Sequence, residues 1–131
     1  MSPLVDVYFD DAEVSLIQSP VIDGYEIIRR DVALTDGKLR LRARLQDGGL
    51  LEIFMYATEV ERQIHLRKYS FHWQDSSSTL VRRWDNAPHF PHLPGAPDHI
   101  HLGEQTVVGA AHRPTIETVL AEIAQALTGE Q

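Results

Sequence analysis

Seven histidines and no cysteine are spread along this 131-residue chain, and four of the histidines, His89, His92, His99 and His101, lie between positions 89 and 101. Imidazole changes charge near neutral pH, so such a cluster can shuttle protons or ligate a metal. His72, Arg83, Asp85 and Asn86 stand shortly upstream. Three chemistries fit these residue types. As a metal site, His89-x-x-His92 followed by His99-x-His101 offers four nitrogen ligands of the kind structural zinc accepts. That spacing, without cysteine and among prolines, specifies no particular ion, so no metal and no cofactor is assigned. Metal-free RNA cleavage needs a base for the 2′-hydroxyl, an acid for the leaving oxygen and a cation on the phosphate. His72 and His89 supply proton transfer, Arg83 supplies the charge and Asp85 orients an imidazole, provided that His89 folds back toward Arg83. In the third reading the cluster is structural: Asp85 and Asn86 make Asx turns before Ala87-Pro88, Arg83 pairs with Asp85, and the histidines bond backbone carbonyls. All three stay open at the level of residue types.

Other nucleophiles and cradles are missing. Ser70 and Ser76–Ser78 lack a Gly-x-Ser-x-Gly elbow. Gly48-Gly49 reads as a hairpin, not as a phosphate loop before a helix. With no cysteine, thiolate zinc sites and disulfide scaffolds are excluded. Asp10, Asp11 and Glu13 read as solvated charge on the polar side of a helix, and isolated His65 and His112 are assigned no role.

Positioning these groups requires strands. Lys38 to Gln46 alternates strictly, with Leu39, Leu41, Ala43 and Leu45 on one side and Lys38, Arg40, Arg42 and Arg44 on the other. It is expected to pair with a strand over roughly 21–34 through an Asp36-Gly37 hairpin turn. A three-residue loop, Asp47-Gly48-Gly49, leads to a strand over roughly 50–57, with Leu51, Ile53 and Met55 beside the leucines and Glu52 opposite Arg44. Both sides of that strand are apolar, so it is central and covered on both faces, or one side is a partner surface. Strands over roughly 63–74 and 79–85 follow, with Gln74 opposite Thr79. Tyr69, Phe71, Trp73 and Trp84 then share a face, Arg82 interrupts it, and His72 and Arg83 lie diagonally on the other side. Pro88, Pro91, Pro94 and Pro97 make 86–101 an ordered loop or an extended edge, because neither a helix nor a central strand tolerates them. Residues 105–110 are a candidate sixth strand. Helices are expected over roughly 3–17, capped by Ser2 with Val5, Phe9, Ala12 and Leu16 inward, and from Pro114 to a stop at Gly129 with Ile116, Val119, Leu120, Ile123 and Leu127 inward. The expected fold is α+β: an antiparallel sheet of five or six strands with the N-terminal and C-terminal helices packed on one face, residues 1–131 forming a single domain.

The formal charge is −7, yet it is distributed as −6 over 1–28, +4 over 29–83 and −5 over 84–131. The total argues against a general nucleic-acid-coating protein, while the basic middle can hold a phosphate backbone locally. In that reading Arg40, Arg42 and Arg44, with Lys68, His99 and His101, are the substrate-binding residues. No apolar run approaches the ~20 residues of a membrane span, and the first residues lack a basic leader region, so a cytoplasmic protein is expected.

The strings Lys68-Tyr69-Ser70-Phe71-His72-Trp73-Gln74 and Arg83-Trp84-Asp85-Asn86-Ala87-Pro88-His89 resemble the TumE toxin family of prokaryotic toxin–antitoxin pairs. The likeness runs from the first helix through Thr115–Leu127. Trp84 stands where the family usually has Tyr, Phe90 where a second His is common, and Pro97-Asp98-His99-Ile100-His101 matches the second His motif in part, which leaves His92 outside the carried-over set. That set is His72, Arg83, Asp85, Asn86, His89, His99 and His101. The resemblance implies a toxin neutralised by a cognate antitoxin, commonly a helix-turn-helix DNA-binding protein. It implies no mechanism. From residue types, two readings follow: a metal-independent endoribonuclease acting on RNA, or a non-enzymatic protein- or RNA-binding module with a structural or metal-binding Pro/His loop. A homodimer through an exposed sheet edge is left open.

Overall fold

A computed structural model describes residues 2–129. Helix α1 (Leu4–Gln18) precedes five long strands, β1 (Ile22–Val32), β2 (Asp36–Leu45), β3 (Leu50–Val60), β4 (Gln63–Gln74) and β5 (Leu80–Asp85), then two short ones, β6 (His99–Leu102) and β7 (Thr106–Gly109), and helix α2 (Ile116–Thr128). The strands form one antiparallel sheet in chain order, β1 to β7. The sheet is thus two strands wider than the five read with most definition, and one wider than six. All four prolines of the 86–98 segment precede His99, so His99-Ile100-His101-Leu102 is free to pair with β5.

Alternation in β2, β3 and β4 sends Leu39, Leu41, Ala43 and Leu45, then Leu51, Ile53, Met55 and Ala57, then Tyr69, Phe71 and Trp73 to one buried face, joined by Trp84 of β5. Val5, Phe9, Ala12 and Leu16 of α1 and Ile116, Val119, Leu120 and Ile123 of α2 complete the same core cluster, so both helices cover this face. Burial of each large side chain contributes ~1.5–3 kcal/mol. Arg82, the exception on the apolar side, reaches past Trp84 to Glu122 of α2, 2.6 Å away. Among the described residues no side chain caps α1, whose N-cap is Pro3 rather than Ser2. Thr115 and Thr118 form a capping box for α2, and Gly129 ends it in the left-handed conformation.

Three hairpins depart from their expected register. The β1–β2 turn falls at Ala33-Leu34-Thr35, closed by Ala33 N–H donating to Asp36 O at 2.8 Å. Asp36 and Gly37 lie within β2, opposite Thr58 and Ala57. Gly37 serves the helix seat instead of a turn: a Cβ there would come within 2.8 Å of Val5 Cγ1 and 2.9 Å of Asp31 O. The β2–β3 loop keeps the expected face but shifts the pairing by two residues, so Glu52 meets Arg42 and not Arg44. A bulge at Trp73/Gln74 shifts β4–β5 as well: Gln74 opposes Leu80, Phe71 opposes Trp84, and His72 stands directly opposite Arg83. The loop closes locally, with Asp75 N–H donating to Thr79 O at 2.9 Å and Asp75 Oδ1 accepting from Ser77 and Thr79 N–H.

The outer apolar side of β3 is covered by cations of β2. The Arg40 guanidinium lies 4.7 Å from the centre of the Phe54 ring, and Lys38 Nζ lies 5.7 Å from that of Tyr56. Among the described residues, no helix is long and apolar enough to cross a membrane.

Candidate functional site

The polar groups collect on the sheet face that the helices leave open. Residues directly opposite one another in neighbouring strands form a transverse row there, Arg42, Glu52, His72, Arg83 and His101, on β2 to β6 in order. The next row along the strands holds Arg40, Phe54, Ser70, Asp85 and His99. Adjacent strands are ~4.8 Å apart, so His72 and His101 flank Arg83 on its two sides.

Asp85 is the centre of the network and is buried. Its Oδ2 accepts from Arg83 Nε at 2.8 Å and stands 3.6 Å from His101 Nε2; its Oδ1 accepts from Ala87 N–H at 2.9 Å and stands 2.9 Å from His99 Nε2. The Ala87 bond is the Asx turn that the sequence suggests. His99 is buried too, and its Nδ1 lies 2.9 Å from Pro97 O. Phe90 presents its ring to both His99 and His101, at centroid distances of 4.9 and 5.9 Å.

Arg83 reaches the other way as well, its Nη1 lying 3.0 Å from His72 Nδ1. A guanidinium can only donate, so His72 Nδ1 is the acceptor and the neutral ring carries its proton on Nε2. Burial, and next the Arg83 charge, push the His72 imidazole below its ordinary value, against a smaller opposing pull from Glu52. Burial also lowers His101; Asp85 opposes that shift, and the neighbouring His99, Arg83 and His72 add to it.

A cleft of about 700 Å³ opens beside this network, lined by Arg40, Phe54, Arg67, Lys68, Ser70, His72, Arg83 and Asp85, with Asn86 to Pro88 at its end. The structure therefore brings His72, Arg83, Asp85, His99 and His101 together, and sets Arg40 and Lys68 along the same cleft. Of Arg40, Arg42 and Arg44, Arg40 alone lines the cleft. Arg42 is paired with Glu52 at 3.1 Å, and Arg44 lies across Gly24, whose added Cβ would fall 2.4 Å from Arg44 Nη2.

Asn86 and His89 stand outside the hydrogen-bond network of Asp85. Asn86 Oδ1 accepts from Tyr69 N–H at 3.1 Å and its Nδ2 donates to Arg67 O at 2.9 Å. Its side-chain amide thus continues the β4–β5 ladder in place of backbone. His89 is exposed, and its side chain makes no hydrogen bond or ion pair among the described residues. The imidazole beside Arg83 comes from β6, as His101. His92 is likewise exposed in the loop.

The loop holds its course through short turns, Leu93 N–H to Phe90 O and Ala96 N–H to Leu93 O, both 3.2 Å. Its end is tied by Asp98, which accepts from Tyr69 Oη at 2.7 Å and Arg113 Nε at 3.1 Å. Burial, reinforced by the bond to Asp98, raises the Tyr69 phenol well above its usual range. Sequence reasoning did not find the Tyr69–Asp98–Arg113 tie, Phe90 against the imidazoles, or Glu52 beside His72. Only the last had a signal, the alternation that puts Glu52 on the polar side of β3, and its neighbour depended on register.

An antiparallel sheet with helices on one side and a cation-lined cleft on the other defines the chain as an α+β protein. The family model of toxin TumE matches residues 12–128, and the chain belongs to that family. No curated protein and no solved structure matches it. Membership places the chain among toxins whose counterpart is an antitoxin.

Proposed function

We propose that this toxin cleaves RNA without a metal ion, in the cleft on the open sheet face. The observation that carries the reading is the position of Arg83 between two imidazoles, His72 and His101, in one row across three strands. A phosphodiester seated on Arg83, with Arg40 and Lys68 along its backbone, meets a nitrogen base on either side. Phosphate draws Arg83 Nη1 away from His72, which frees Nδ1 to take the proton of the 2′-hydroxyl. The 2′-oxygen then bonds to phosphorus, the P–O5′ bond breaks, and the leaving oxygen takes a proton from His101, whose cationic form Asp85 supports. The products are a 2′,3′-cyclic phosphate and a free 5′-hydroxyl, and Arg83 balances the charge that builds on the phosphoryl oxygens. His101 here takes the part that the sequence offered to His89.

The test is incubation of single-stranded RNA with the purified chain in EDTA. Cleavage with a cyclic-phosphate end is expected, and His72→Gln lowers the rate by ~10²–10⁴-fold while the unfolding midpoint stays close to wild type. Intact RNA at every pH from 5 to 8 overturns the enzyme reading; RNA retained without cleavage replaces it with a non-enzymatic RNA-binding module. The antitoxin is proposed to be a helix-turn-helix DNA-binding protein, and the site of action the cytoplasm.

A further inference from the structure

Asp85, His99 and His101 offer ligand atoms that all lie within 4.8 Å of one another, two of the residues being buried and the third half-buried. The His99 ring has a fixed orientation. Its Nδ1 faces the Pro97 carbonyl at 2.9 Å, and a carbonyl only accepts, so Nδ1 carries the hydrogen. Nε2 is then the nitrogen with the lone pair, and it stands 2.9 Å from Asp85 Oδ1. Two lone-pair atoms buried at that separation require a cation: a proton, or a metal ion coordinated by both. A backbone carbonyl that orients a histidine through its other nitrogen is the usual support of a metal-ligating imidazole. The carboxylate is held by Ala87 N–H and Arg83 Nε, and the edge-on contacts of Phe90 restrain both rings.

We propose that Asp85, His99 and His101 bind one divalent transition-metal ion, with zinc as the best-suited ion. Two imidazole nitrogens and one carboxylate oxygen form a ligand set that zinc accepts with a fourth position for water, whereas magnesium and calcium prefer all-oxygen sites. Entry is from His101, whose side chain is 22% exposed. The Arg83 guanidinium, 2.8 Å from Asp85 Oδ2, opposes a second cation and weakens its binding. The inference rests on this geometry and not on the RNA reading. One consequence does rest on that reading: an ion on His101 Nε2 removes it from proton transfer, so zinc inhibits cleavage.

The test is calorimetric titration of the chelator-stripped full chain with zinc chloride, and separately with magnesium chloride. One equivalent of zinc and no magnesium are expected to bind. His101→Gln, at a half-buried position, weakens zinc at least tenfold; the exposed pair His89→Gln/His92→Gln leaves it unchanged. Ring-nitrogen NMR of the wild-type chain needs no variant and is expected to show zinc displacing the His99 and His101 Nε2 resonances. Absence of binding by the wild-type chain, unshifted His99 and His101 resonances, or equal affinity in His101→Gln overturns the site. Failure of RNA cleavage leaves these readouts untouched, so the two proposals fall separately.

Discussion

Arg30 and Arg83 both meet carboxylates, with opposite arithmetic. On β1, one guanidinium serves three carboxylates of α1: Arg30 bonds to Asp6 and Asp10 at 2.8 Å and to Glu13, and it also bonds to Asp6 O at 3.0 Å. Burial pulls its proton affinity down, but the bonds to Asp6, Asp10 and Glu13 raise it overall, so the cation is locked in place. At the candidate site, one buried carboxylate serves a guanidinium, a backbone N–H and two imidazoles. The first cluster has acceptors in excess and fastens a helix to the rim of the sheet. The second has one carboxylate among several nitrogens, and its guanidinium faces a cleft. The balance of carboxylates to nitrogens, and not the mere presence of an ion pair, separates the fastening from the candidate site.

The largest break in this comparison is expected from Asp85→Ala, which leaves Arg83 and His99 without their shared partner. Losing one member of a buried charge network costs ~3–5 kcal/mol, read as the loss of unfolding free energy in urea. Arg30→Met is expected to cost less, ~1–2 kcal/mol, because Asp10 in that cluster is 62% exposed and water screens what remains. Raising the salt concentration is expected to shrink the Arg30→Met penalty and to leave that of Asp85→Ala nearly intact; equal salt dependence would contradict the contrast in burial.

The smallest expected effect is on pH. His72 titrates below its ordinary value in the folded chain because of burial and then Arg83. The unfolded chain therefore binds more protons than the folded one over that interval. The contribution to stability is present above about pH 6.5 and is lost as pH falls through the folded value. A histidine NMR titration is expected to place His72 below 6.5 in wild type and to move it upward in Arg83→Gln. The Arg30 cluster contains no imidazole, so stability differences between wild type and Arg30→Met should change little from pH 6 to 8.

What could be read in advance was the side on which each residue falls. Period-two alternation put Leu39–Leu45 inward and Lys38–Arg44 outward, aligned Arg83 with Asp85, and set His72 on the polar side, while the helical stripes of Val5–Leu16 and Ile116–Ile123 marked the two covering elements. What stayed hidden was which residue faces which across a strand pair. Because side chains repeat every two residues, a two-residue slip leaves the inward–outward pattern unchanged and replaces every neighbour. That is how Glu52 came to Arg42 rather than Arg44, and how Arg83 came to stand squarely beside His72. Asp36-Gly37 shows the same limit: the pair has the chemistry of a turn, but the space under Val5 and Phe9 of α1 decided its use. The exchange of His89 for His101 belongs to tertiary structure alone. His89 lies among the prolines and His101 beyond them, and the pairing of β6 with β5 determined which one would lie beside the guanidinium.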